Sequence, residues 1–253
     1  MRSIVFSKRT AKEILRDPLT FIFCLGFPLV MLVIMTIVNE SIPKEAQMVI
    51  FNIEYLAPGI VIFGLTFIMQ FTCLQVSKDR STAFLSRLYA SPMKPVDFII
   101  GYTLPIMVIA ILQCVVTFIA SVIVAIIAGE NLNVLNLLLA VIVNIPAALL
   151  FLGLGMLFGT LLNDKAAPGI CSILITVACL LGGIWMDVDA LGGTFMKISH
   201  ILPFYQSVKA ARMAVLGQFG EILKPLMLTG AYAIGIYVLA VVVLHSKMQK
   251  DIS

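Results

Sequence analysis

The side chains able to do chemistry are few in this chain and poorly placed for catalysis. Of two histidines, His200 and His245, neither stands in the H-E-x-x-H spacing that lets one helix face hold zinc. No G-x-x-x-x-G-K-[ST] phosphate loop occurs, so this chain has no P-loop for ATP. Cys24, Cys73, Cys114, Cys171 and Cys179 all fall in apolar stretches without metal-ligand spacing and read as small packing residues. A serine hydrolase inside those stretches would need a histidine there, and none precedes His245. The residues therefore predict neither an enzyme nor a metal site. What remains is a set of neutral polar groups at helical spacing. Thr66, Gln70, Cys73 and Ser77 share one face, as do Gln113, Thr117 and Ser121, and Ser172, Thr176, Cys179 and Gly183. Such faces can line a solute pathway, with Thr66, Gln70, Ser172 and Thr176 as path candidates. They can equally join helices through interhelical hydrogen bonds, and Gly153, Gly155 and Gly159 point to close helix packing.

These residues need elements to carry them, and composition dictates which. Of 253 residues 61% are apolar and 12% charged, where a soluble domain carries about a quarter charged residues. Six runs contain no Asp, Glu, Lys or Arg: 19–38, 55–76, 98–128, 135–162, 168–186 and 226–244. A hydrocarbon core of ~30 Å needs about 20 helical residues, and lipid offers no partner for an unpaired backbone group. The expected fold is an all-α integral membrane protein with six transmembrane helices. A soluble enzyme, a disordered chain and a nucleic-acid reader are excluded. The run 98–128 would measure about 46 Å as a straight helix, so it must tilt, bend near Pro105 or protrude. Without a carboxylate or histidine inside the bundle, proton coupling has no carrier, and energy for uphill transport must come from elsewhere.

Basic residues set the topology. Arg2, Lys8, Arg9, Lys12 and Arg16 precede span 1; Lys78, Arg80, Arg87 and Lys94 follow span 2; Lys165 follows span 4; Lys247 and Lys250 follow span 6. The other side holds Lys44, Lys197, Lys209, Arg212 and Lys224. Both termini are therefore expected in the cytoplasm. Residues 1–18, with Ile4, Val5, Ala11, Ile14 and Leu15 among basic side chains, read as an interfacial helix retained with span 1. Segment 187–225 concentrates four basic residues on the supposed outside. The loop 77–97 places Phe84, Leu85, Leu88 and Tyr89 on one helical face, with Arg80, Arg87 and Lys94 around it, until Ser91-Pro92 stops the helix. That pattern suits docking onto another protein or resting on headgroups.

Those residues carry a family resemblance. Lys78-Asp79-Arg80-Ser81-Thr82-Ala83-Phe84-Leu85-Ser86-Arg87-Leu88-Tyr89-Ala90-Ser91-Pro92, with Gly101 following, resembles the segment joining spans 2 and 3 in ABC-2-type transporter membrane subunits. The frequent Gly-Thr-Leu of the family is Ser81-Thr82-Ala83-Phe84 here, and its leading glutamates are replaced by Lys78-Asp79. Arg16-Asp17-Pro18 with Pro28, Gly153 to Ala167, and Gly182 to Arg212 by way of Ile201-Leu202-Pro203-Phe204-Tyr205 are similar to further family segments, covering essentially the whole chain.

The resemblance implies a permease subunit of a bacterial exporter in the plasma membrane. Two such subunits, identical or different, would pair, each docking on a separate ATPase subunit that binds ATP and Mg; no cofactor would sit in this chain. It further implies that Arg80, Phe84, Leu85, Arg87 and Leu88, with Asp164 and Lys165 in the next loop, couple to that ATPase. Spans 2 and 5 would line the path at the dimer seam, and 187–225 would re-enter the outer leaflet. A neutral lining suits amphipathic, lipid-like, drug or glycan-type cargo. A passive channel, or a scaffold that recruits a cytoplasmic partner, are the alternatives.

Overall fold

In this computed structural model the described residues are 2–43, 48–82 and 94–252, and among them the chain is helical, without strands. Helix α1 (Arg2–Leu15) precedes α2 (Pro18–Ser41), α3 (Ile53–Ser81), α4 (Pro95–Ala128), α5 (Val134–Leu161) and α6 (Ala167–Leu181). Three shorter helices follow, α7 (Val188–Leu191), α8 (Gly193–Ile201) and α9 (Pro203–Val215), before the long α10 (Leu223–Ile252). Among the described residues, α2, α3, α4, α5 and α10 are long and apolar enough to cross a membrane. The chain is a multi-pass membrane protein.

The fifth apolar run behaves differently from the expected 168–186 span. Helix α6 stops at Leu181, and its 15 residues rise only about 22 Å, short of a hydrocarbon core. The stop is chemical. Gly183 takes φ +71°, a left-handed conformation that side chains other than glycine rarely adopt, so Trp185 and Met186 leave the helix although they are apolar. At the other extreme α4 has 34 residues, about 51 Å of helix, and exceeds the hydrocarbon thickness as its sequence predicts.

Prolines shape two spans. Pro28 has no N–H to offer the carbonyl one turn earlier, and the preceding Ile22–Gly26 segment is wound as a π-helix, with the Phe27 N–H reaching Ile22 O. In α5 the ladder breaks at Asn144, two residues before Pro146. There the buried Asn144 side chain donates to Ala140 O at 2.8 Å.

Helix α3 is the centre of the bundle. It is the least apolar of the five long helices and the most buried, because its neighbours are helices rather than lipid. It packs on α5, α4, α6 and α9. Glycines let α5 approach it closely: a Cβ on Gly155 would stand 2.5 Å from Met69 O, and one on Gly159 would stand 2.7 Å from Val76 Cβ. Close approach replaces the solvent-driven attraction that is absent between helices in lipid. By contrast α2 and α10 are peripheral, with Ile37, Val38, Ile234 and Val242 exposed to the surroundings.

Because Gly155 faces backbone rather than a movable side chain, Gly155→Leu should force α3 and α5 apart. Overpacking of this kind costs about 1–3 kcal/mol. Thermal unfolding of the purified protein in detergent should show a clear fall in midpoint for Gly155→Leu and none for Gly235→Leu, whose Cβ would meet nothing within 4 Å.

Candidate functional site, a polar platform beneath helix α1

Helix α1 is held to the ends of α3 and α4 by the ring contacts of Phe6 and by a set of carboxylates centred on the buried Asp79. Phe6, Thr10 and Ile14 form its buried stripe at four-residue spacing, while Ile4, Val5 and Leu15 remain exposed on another face. The Phe6 ring meets Phe98 edge-on at 5.6 Å and Tyr102 at 4.9 Å. It lies against Gly101, where any Cβ would collide with it. This explains the small residue in the first turns of α4.

Asp79 carries the polar half. Its side chain is buried at the end of α3, accepts a hydrogen bond from Tyr102 Oη at 2.7 Å, and stands 3.6 Å from Arg9 of α1. Arg9 also pairs with Glu13 at 2.5 Å, and the other Glu13 oxygen accepts from Gln75 of α3 at 3.2 Å. Ser3 donates to Asp97 at 2.6 Å, fastening the start of α1 to the first turn of α4. A carboxylate taken out of water is tolerable when its oxygens are hydrogen-bonded and a cation is near, and Asp79 meets both conditions. The next residue, Arg80, turns the other way and donates to Thr160 O near the end of α5. Asp79 and Arg80 thus bring the ends of α1, α3, α4 and α5 together.

The residues expected to couple are partly within this platform. Arg80 belongs to it. Phe84, Leu85, Arg87 and Leu88 lie outside the described residues. Asp164 and Lys165 are exposed in the turn between α5 and α6, where Asn163 caps the Ala166 N–H at 2.8 Å. Asp79, Arg9, Glu13 and Tyr102 were not among the expected site residues; the signal was present as an acid placed between two bases at the end of a polar-striped helix.

The expected path residues do not converge within this chain. Thr66 is fully buried and donates to Phe63 O of its own helix at 2.6 Å. Gln70 lines a cleft of about 260 Å³ with Phe23 of the π segment, Phe67, Phe71, Asp17 and Lys78. Ser172 and Thr176 are exposed on α6, bonded back to Pro168 O and Ser172 O at 2.9 Å each. Helices α3 and α6 do touch, through buried Cys73, Ala167 and Cys171. All five cysteines are buried and free, as their reading as packing residues requires. Among the described residues no cluster of three His, Cys, Asp or Glu side chains could hold a metal ion.

The opposite end of α3 has its own tie. Arg212 of α9 donates to Tyr55 O at the start of α3 (3.3 Å) and to Gly183 O just past α6 (2.9 Å). Burial pulls its guanidinium below the ordinary arginine value, while Asp187, Tyr205, Tyr55 and Asp189 oppose that fall. Beside it Asp189 accepts from Tyr205 Oη and lies against His200 Nε2, both at 2.7 Å. Burial raises the Asp189 carboxyl, but these two hydrogen bonds and the charges of His200 and Lys209 outweigh it and hold the carboxyl below its usual range.

The sequence profile of the ABC-2 type transporters matches residues 3–216, from the first turn of α1 to the end of α9. The chain belongs to the ABC-2 type transporter family. Comparison with curated proteins gives no match. An ABC-2 membrane domain is the permease part of an ABC transporter, and the family associates with ABC ATPase subunits; α1 and the end of α3 are therefore structural parts of a transport machine.

Tyr102 and Arg9 serve the same carboxylate, so their effects in this ABC-2 permease should not add. Asp79→Ala should lower stability by about 1–3 kcal/mol, and Tyr102→Phe should cost little more once Asp79 is gone. A double-mutant cycle of thermal midpoints in detergent measures this, and fully additive losses would contradict the shared-carboxylate geometry.

Proposed function

We propose that this permease exports an amphipathic substrate, lipid-like, drug or glycan in type, using ATP hydrolysed with Mg on a separate nucleotide-binding subunit. Two permease subunits and two ATPase subunits would form the working complex, with both termini of this chain in the cytoplasm of a bacterial plasma membrane. The observation that carries this reading is the Asp79 platform. A helix anchored to a membrane bundle by Arg9, Tyr102, Ser3 and Phe6 cannot move without moving α3 and α4.

The mechanical consequence follows from the ties. The ATPase would engage α1 and segment 77–97, with Arg80, Phe84, Leu85, Arg87 and Leu88 as the principal contacts and Asp164 and Lys165 as secondary ones. Force delivered there would enter α3 at Asp79 and α5 at Thr160. Helix α3 would carry it along its length to Tyr55, where Arg212 passes it to α9 and to the end of α6. The segment 187–225 would then act as the outer lid. No side chain of this chain needs to change protonation in that sequence.

The surfaces that a second permease subunit would meet point to the substrate class. Ser172 and Thr176 lie exposed on α6 among Ile173, Val177 and Leu180, and Gln70 stands in an apolar, phenylalanine-lined cleft. Neutral hydroxyls and an amide among apolar side chains suit a solute with both characters. The two charged groups on the same cleft, Asp17 and Lys78, are of opposite sign and leave no net charge to compensate a multivalent ion.

Two variants test the coupling. In vesicles holding this permease and its ATPase, Leu85→Asp should abolish transport and the stimulation of ATP turnover while membrane insertion stays intact. Asp79→Ala should leave the complex assembled yet reduce transport by at least tenfold. Normal transport by Leu85→Asp would overturn the docking assignment, and normal transport by Asp79→Ala would overturn the platform as the route of force.

A further inference from the structure

Lysine and arginine are depleted on the translocated side of membrane proteins, so four in the single segment 187–225 require a physical reason. Arg212 has one in its bonds to Tyr55 O and Gly183 O. Lys197 is exposed and lines no described cavity with the others. Lys209 and Lys224 are different, because both line one cleft of about 790 Å³ between α8, α9 and the start of α10. Among the described residues neither forms an ion pair. Lys209 rests its ammonium 5.9 Å from the Tyr205 ring centroid, a contact that leaves its donors available. Lys224 is exposed in the first turn of α10. Glu221 is the one carboxylate on the described wall, and the third basic group, His200, is engaged with Asp189.

Gln206 and Tyr205 spend their donors on His200 O and Asp189, and the rest of the wall is apolar. Leu223 and Met227 are 63% and 64% exposed, and they belong to a helix apolar enough to cross a membrane. The cleft therefore joins two lysines to a surface continuous with the lipid-facing side of α10. A soluble anion would use only the first feature and a hydrocarbon chain only the second. We propose that this cleft binds an anionic phospholipid of the adjoining leaflet, its phosphate held by Lys209 and Lys224 and its acyl chains lying against Met213, Leu223 and Met227. Held there, the lipid bridges α9 to α10 and braces the segment that Arg212 ties to α3. The topology proposed above determines only which leaflet supplies the lipid; binding itself stands independently of the transport reading.

The test uses the full chain purified in detergent, with phosphatidylglycerol, phosphatidylcholine and inorganic phosphate as probes and native mass spectrometry to count retained lipid. Wild-type protein should retain phosphatidylglycerol in preference to phosphatidylcholine, and phosphate should not displace it. Lys209→Gln and Lys224→Gln should each weaken retention about fivefold, the ratio for one lysine at an anionic lipid surface, and the pair about 25-fold. Lys197→Gln should leave it unchanged. Because Lys224 is exposed, Lys224→Gln should keep its far-ultraviolet circular dichroism and remains informative if the double variant fails to fold. Unchanged phosphatidylglycerol retention in Lys224→Gln, an equal loss in Lys197→Gln, equal retention of phosphatidylcholine, or displacement by phosphate alone would each overturn the proposal.

Discussion

Everything in this permease hangs on α3 being a polar-ended helix buried in the middle of an apolar bundle. A helix surrounded by other helices meets no water along its length, so its hydrogen-bonding groups must be satisfied by neighbours at its two ends. At one end those neighbours are Tyr102 and Arg9 for Asp79, and the Thr160 carbonyl for Arg80. At the other, the carbonyl of Tyr55 receives Arg212. Between the ends, Gly155 and Gly159 of α5 bring a second helix into backbone contact, which removes the freedom of α3 to slide. The same requirements that make α3 stable in lipid make it a rod with handles.

The two ends are built differently. The platform joins α1, α3 and α4 through side-chain carboxylates, with Asp79, Glu13 and Asp97 each receiving a donor from another of these helices. The opposite end uses one guanidinium reading backbone carbonyls, Tyr55 O and Gly183 O. A guanidinium forks between two acceptors in fixed geometry, so it can hold a helix start and a helix end at once. Gly183 makes its carbonyl available there only because its left-handed turn ends α6 early. The shortness of α6 and the burial of Arg212 are thus one structural fact.

Much of this was legible in the sequence, and the remainder was hidden for definite reasons. Charge-free runs located α2 through α5 and α10, because hydrocarbon admits no other solution, and the alternation of basic and apolar residues located α1. The end of α6 was not visible to apolarity, since Trp185 and Met186 continue the run after the chain has turned; the Gly182-Gly183 pair was the cue. Helical spacing put Thr66 and Gln70 on one face, but spacing does not say what that face meets. Thr66 proves to be packed inside the bundle, while Gln70 reaches a cleft. Asp79 read as one more charge in a loop because its partners, Arg9 and Tyr102, are distant in sequence. The fit of Phe6 onto Gly101 is likewise a pairing between separate elements, invisible until they meet.

The central claim is that α1 and α3 move as a single body. It is tested most directly by a distance measured within one subunit of the assembled transporter. Spin labels introduced by Val5→Cys in α1 and Glu54→Cys in the first turn of α3 would occupy exposed positions at opposite ends of that body, and the native cysteines are buried. Double electron–electron resonance should be recorded on complexes carrying one labelled subunit, without nucleotide and with ATP trapped. The account predicts the same distance distribution in both states. A shift approaching one helical turn, about 5.4 Å, would show that α1 moves against α3 and would contradict it.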